Sequence, residues 1–286
     1  MVDWIYDLNP FVFKAGLFVI ITMLAFASRG SKAVRYSTSL VKSGVVNVIF
    51  YQLNTLLSIP LFLVAIAIIK GAKQAGMPSL PREIWDGVPI LLTYLILCLS
   101  YDFVLYWVHR ALHKTWFWPM HAVHHSDPDL HFLSWDRAHF TEQVFIQLSF
   151  FFALSWMGMT LNEVVILALA RNLHQYYVHS NIDWDHGRFN VLLASPQYHR
   201  WHHADDPAAY DKNFASSFPI WDKLFGTYYY PGTCVNTPTG FPGSPGNDII
   251  DLVLYPFKEW ARLLGKRVSK LEATKSDIKD PIAPAE

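Results

Sequence analysis

The chain has 286 residues, enough for one or two soluble domains, but 52% are hydrophobic, 16% aromatic and only 16% charged, with a mean hydropathy of +0.19, a balance that points toward a membrane protein. Lys and Arg number 23 against 23 Asp and Glu, so the formal net charge is zero and nothing electrostatic recommends a nucleic-acid partner. Two cysteines, Cys98 and Cys234, are too few and too poorly spaced for a disulfide framework or a Cys-rich zinc site.

A helix needs about 20 apolar residues to cross the hydrocarbon core. Three early stretches meet that test: Phe11 to Ser28, Val45 to Ile69, and Val88 to Trp107. The first reads as a retained transmembrane helix rather than a signal peptide, because Asp3 and Asp7 precede it and the basic residues Arg29, Lys32, Arg35 and Lys42 follow it. Two shorter stretches, Val144 to Leu161 and Val164 to Tyr177, read as a hairpin that dips into or just crosses the bilayer. The basic connector Arg29 to Lys42 belongs in the cytoplasm, and counting spans returns the chain to that side at His109. Past Asp183, Pro, Gly, Asp, His and aromatic residues replace the aliphatic runs, which reads as an irregular cap. Ile249 to Leu264 is amphipathic and suits an interfacial helix, and the last twenty residues form a polar tail expected to be disordered. The expected fold is all-α: an integral-membrane helical protein with about four to five membrane helices and a cytoplasmic histidine-rich cap.

All 13 histidines lie between His109 and His203. His109 and His113 (HRALH) are an i, i+4 pair on one helical face at the end of the third span. His121, His124 and His125 (HAVHH) repeat that relation, while the adjacent His124 and His125 diverge by about 100° on a helix, which suits two different ions. His199, His202 and His203 (HRWHH) form a second copy, with Ser195 and Pro196 placed to start a helix. Between the copies, His174 and His179 sit at i, i+5, a less regular spacing that could include one structural histidine. His131, His139 and His186 are isolated and read as structural, with His139 placed to support the site alongside Arg137 or Glu142. Asp102, inside the third span, is costly there and reads as a partner to the site.

Imidazole suits Zn, Cu, Fe and Ni, so ligand type alone does not choose the metal. Eight to ten candidates are enough for two ions, whereas one catalytic zinc needs about three. The absence of HExxH disfavours a membrane zinc hydrolase, and the absence of Glu-x-x-His argues against a carboxylate-bridged di-iron bundle. A metal transporter would place its histidines along the spans rather than at their ends. A histidine-rich di-metal site facing a bilayer suits O2 chemistry on a lipid chain.

At these residues the sequence resembles the fatty acid hydroxylase/sterol desaturase superfamily of membrane non-haem di-iron enzymes. Its pattern HxxxH, HxxHH, HxxHH is matched by His109 and His113, by His121, His124 and His125, and by His199, His202 and His203; His174 and His179 match further ligands on the last membrane helix. The run Asp211 to Tyr229 (DKNFASSFPIWDKLFGTYY) resembles the family's signature after the last cluster, and the wording is nearest the alkylglycerol monooxygenase-like and bacterial sterol desaturase-like branch. The resemblance covers roughly Leu91 to Pro231. With the apolar runs and the amphipathic C-terminal stretch it divides the chain into N-terminal membrane helices over 1–87, a fatty acid hydroxylase-like catalytic region over 88–231, and a C-terminal interfacial helix and tail over 232–286. It also implies two iron ions, O2 as co-substrate, a membrane lipid substrate, and electrons from NAD(P)H through a separate reductase with a cytochrome b5-like or ferredoxin-like carrier, since the chain has no GxGxxG and no Cys cluster of its own.

Overall fold

A computed structural model describes residues 38–279 except 160, 235 and 236, together with isolated positions among residues 16–27. The expected first span, Phe11 to Ser28, therefore falls largely outside the described residues. Within them the fold is all-α: α1 (Thr38–Gln74), α2 (Ile90–Leu112), α3 (Trp118–His121), α4 (Phe140–Trp156), α5 (Leu161–Val178), α6 (Pro196–His202), α7 (Ile220–Leu224) and α8 (Ile249–Lys279), with short 3₁₀ turns between them. The only extended pairing among the described residues is an isolated bridge between Ala204 and Thr239.

Two described helices, α1 and α2, are long and apolar enough to cross a membrane. The most apolar window of α1 is only 11% buried, and Leu56 and Leu63 stay 66% and 64% exposed. A helix so apolar with so little cover needs lipid around it, and the protein associates with membrane through these segments. Helix α1 contains the expected span Val45 to Ile69 and starts earlier, because the polar side chains of its first turns are buried on partners: Ser43 Oγ donates to Asp127 Oδ1 (2.6 Å) and Asn47 Nδ2 to Asp127 Oδ2 (2.8 Å). Helix α2 runs beyond Trp107 to Leu112, so His109 rides on its last turn and His113 caps it.

The expected hairpin is α4 and α5. The turn between them requires a glycine: Gly158 has φ +72°, and a Cβ there would lie 2.6 Å from the Leu80 carbonyl oxygen. Leu97, Tyr101 and Leu105 of α2 pack against Phe150 and Leu154 of α4 and Leu167 of α5, with the Tyr101 and Phe150 rings edge to face at 4.6 Å. Above this layer the chain folds into the irregular cap, and α8 returns to seat Leu252 on Val46 and Phe50 of α1. The tail expected to be disordered is helical as far as Lys279, since no glycine or proline interrupts the run from Lys266 to Asp280.

Candidate metal centre

Nine of the ten histidines expected as ligands gather where α2, α3, α5 and α6 meet the cap. They form two groups: His109, His113, His121, His125 and His202 in one, and His124, His179, His199 and His203 in the other, with the nitrogens of each group within 4.8 Å of one another. Each HxxHH motif is shared between them. His121 and His125 enter the first group and His124 the second; His199 and His203 enter the second and His202 the first. A helical turn explains this, because residues four apart share a face while their neighbour is turned about 100° away.

Within the first group His121 Nε2 stands 3.0 Å from His109 Nε2 and 3.1 Å from His125 Nε2. In the second, His179 Nε2 stands 3.1 Å from His124 Nε2 and 2.9 Å from His199 Nε2, and His203 Nε2 lies 3.2 Å from His199 Nε2. Two nitrogens each about 2.1 Å from one ion at a right angle are about 3.0 Å apart, so these separations fit shared coordination.

The other ring nitrogens fix which atom carries the lone pair. His109 Nδ1 donates to the Phe214 carbonyl (2.7 Å), His202 Nδ1 to the Lys212 carbonyl (2.7 Å) and His179 Nδ1 to the Gln175 carbonyl (2.8 Å). A carbonyl only accepts, so the proton sits on Nδ1 and a lone pair on Nε2. His121 Nδ1 faces Glu142 Oε1 at 2.8 Å, and His113 Nδ1 faces Asp211 Oδ1 at 3.3 Å. The buried Nε2 atoms of His113 and His202 have no hydrogen-bond partner. Burial, with repulsion among the imidazoles, holds the pKa values of His121, His124, His125, His199, His202 and His203 well below the ordinary 6.5, and burial lowers His179 to about 3. Neutral rings with converging lone pairs repel one another and attract a cation. The residues present therefore fit a metal ion in each group.

His174 is not brought to either group; its Nε2 donates to the Ala194 carbonyl (3.2 Å) and its Nδ1 faces Ser217 Oγ (3.2 Å). The i, i+5 spacing turns it away from His179 by about 140° on the helix. The three isolated histidines also stand outside both groups. His131 Nδ1 accepts from Leu133 N (3.2 Å), His139 caps α4 by accepting from Thr141 N (3.3 Å), and His186 Nε2 meets the Tyr177 hydroxyl at 2.6 Å. Glu142 supports the site through His121, whereas Arg137 joins a separate network with Asp127. Asp102 reaches no histidine among these contacts; it accepts from Ser217 N (2.8 Å) and Phe218 N (2.9 Å), holding the cap loop on α2.

Sequence reading missed the clamps on His109 and His202. They are carbonyls of Phe214 and Lys212, within the run that followed the last cluster. Asp222 accepts from Phe214 N (2.8 Å), Ala215 N (2.7 Å) and Thr227 Oγ1 (2.6 Å), and Asn213, at φ +57°, donates to the Tyr198 and Tyr229 carbonyls. The conspicuous Asn and Asp of that run thus shape a loop whose backbone aims two imidazoles.

The comparisons agree with this architecture. The fatty acid hydroxylase family model matches residues 94–227, and this segment belongs to that family. The chain is 28% identical over 173 residues to an ornithine lipid hydroxylase of Rhizobium tropici, covering 59% of this chain and 52% of that one. It is 33% identical over 132 residues to the alkylglycerol monooxygenase of Homo sapiens (46% and 29% of the two chains), and 32% identical over 155 residues to a very-long-chain aldehyde decarbonylase of Oryza sativa subsp. japonica (52% and 56%). The chain thus spans about half or less of these relatives' lengths. No solved structure matches it.

Proposed function

We propose that this protein is an O2-dependent di-iron oxidase that hydroxylates or desaturates a membrane lipid. The observation that carries the reading is the pair of histidine groups whose ring nitrogens converge, with the protons of His109, His202 and His179 held on Nδ1 by backbone carbonyls. The metal ligands would be His109, His113, His121, His125 and His202 for one iron and His124, His179, His199 and His203 for the other. Bound iron would supply reductive activation of O2 against an unactivated C–H bond. The protein's own part is positional: the Phe214, Lys212 and Gln175 carbonyls hold protons at Nδ1, Glu142 orients His121, and burial keeps bulk water from the rings. The lipid oxidations named for the relatives, and the bare apolar flanks of α1, support a lipid substrate. Electrons would come from NAD(P)H through a separate reductase and carrier, on the cytoplasmic side of a multi-pass protein.

Anaerobically purified protein should carry about two irons per chain and, with an added reductase and carrier, consume O2 in step with a modified lipid. A single tightly bound zinc with hydrolysis and no O2 uptake would replace this reading with a zinc hydrolase.

A further inference from the structure

Between α1, α4, α5 and the 3₁₀ turn Phe132–Asp136 lies a cavity of about 250 Å³, with Thr55, Ser58, Gln147 and Asn172 among its polar walls. Thr55 and Ser58 donate their hydroxyls to the Tyr51 and Thr55 carbonyls, which leaves the Gln147 and Asn172 amides as the polar wall that an occupant can answer, beside a helix whose outward side chains are apolar and uncovered. Two further wall residues reach the histidines. Glu142 holds His121 of the first group, and the Trp135 ring lies 6.2 Å from His124 and 5.6 Å from His179 of the second, between ring centroids. The cavity therefore abuts both groups.

Its cation is Arg171, on α5. Of the carboxylates in the same wall, Asp136 accepts from the Tyr176 hydroxyl (2.9 Å), and Glu142 meets His121 through Oε1 while its buried Oε2 has no hydrogen-bond partner. Arg171 forms no ion pair or hydrogen bond among the described residues. Its guanidinium carbon stands 4.8 Å from the Trp135 ring centre and 5.9 Å from that of Tyr101, and its buried Nε has no partner. A guanidinium stacked on an aromatic face with its donors unused is prepared for a planar or tetrahedral oxyanion. The cavity is too small for an acyl chain and large enough for a headgroup.

We propose that Arg171 anchors the carboxylate or phosphate of an anionic lipid headgroup in this cavity, one aromatic ring from the second histidine group. This rests on the lipid-oxidase reading, and it places the oxidised carbon close to the headgroup.

Binding separates the two. Full-length protein in detergent is titrated with an N-acylglycine, a lysophosphatidic acid and a monoacylglycerol of equal chain length. At least one anionic lipid should bind about tenfold tighter than the neutral one, and which of the two does so distinguishes carboxylate from phosphate. Arg171→Gln should remove the preference and Arg171→Lys keep part of it, with monoacylglycerol affinity unchanged. If Arg171→Gln does not fold, Gln147→Glu, which adds a negative charge to the same cavity, should weaken only the anionic lipids. Equal binding of charged and neutral lipids, or a preference that survives these substitutions, overturns the proposal. A preserved preference in wild-type protein that gives no O2-dependent product overturns the oxidase reading instead.

Discussion

The buried polar cluster around Arg137 and the histidine groups differ in how their hydrogen bonds close. Around Arg137, which is wholly buried, every charge is answered by protein: its Nε donates to Asn47 Oδ1 (2.6 Å), its Nη1 to the Gly246 carbonyl (2.6 Å) and its Nη2 to Ser43 Oγ (3.1 Å) and Asn247 Oδ1, with Asp127 3.6 Å away. Asp127 also accepts from Ser43, Asn47 and Ser134, and although burial opposes it, Arg137 and these bonds hold its carboxyl below the ordinary value. The histidine groups instead direct their second nitrogens at one another and leave the Nε2 atoms of His113 and His202 unanswered. A cluster that satisfies itself fastens α1 to the cap, while one that leaves buried acceptors facing each other is built for something that arrives later.

That contrast can be broken by mutation. His202→Ala and His124→Ala, one from each group, should each abolish turnover and lower bound metal while the protein still inserts; activity retained in both would sink the ligand assignment. Arg137→Met should cost about 3–5 kcal/mol of folding stability, read from denaturation, because Asp127 is left buried and uncompensated; a change in metal content without a loss of stability would place Arg137 with the site instead. Glu142→Gln should reduce metal affinity about 10- to 100-fold in a chelator competition, with folding retained. Acidification should give the smallest effect. His179 titrates ordinarily at 6.5 and in the fold at about 3, so between those values the unfolded chain binds more protons. Metal-free protein should lose melting temperature as the pH falls from 7.5 to 5.5, and an unchanged value would show that these rings do not resist protonation.

The histidine site was legible because its code is local. The i, i+3 and i, i+4 spacings of HAVHH and HRWHH translate directly into helical faces, so the division of adjacent histidines between two groups could be read before any fold was known. What escaped depends on distant segments. Glu142, expected at the site alongside His139, instead reaches His121 across 21 positions, and the Phe214 carbonyl reaches His109 across 105. A carbonyl carries no residue-type signal at all. Arg171 was invisible for a related reason: its meaning lies in the partners it lacks. The all-helical character was likewise plain from the apolar runs, but the first turns of α1 were hidden, because Ser43 lies outside the apolar run until Asp127 is seen to bury it.

The sharing of each HxxHH motif between both groups has a bearing on assembly. On the proposed assignment, the first ion to arrive fixes the backbone of α6 and of the His121–His125 segment, and with it residues that serve the other ion. The entropy of ordering those rings is then already spent when the second ion binds. Loading should follow a sigmoidal isotherm, with singly filled protein scarce at every iron concentration.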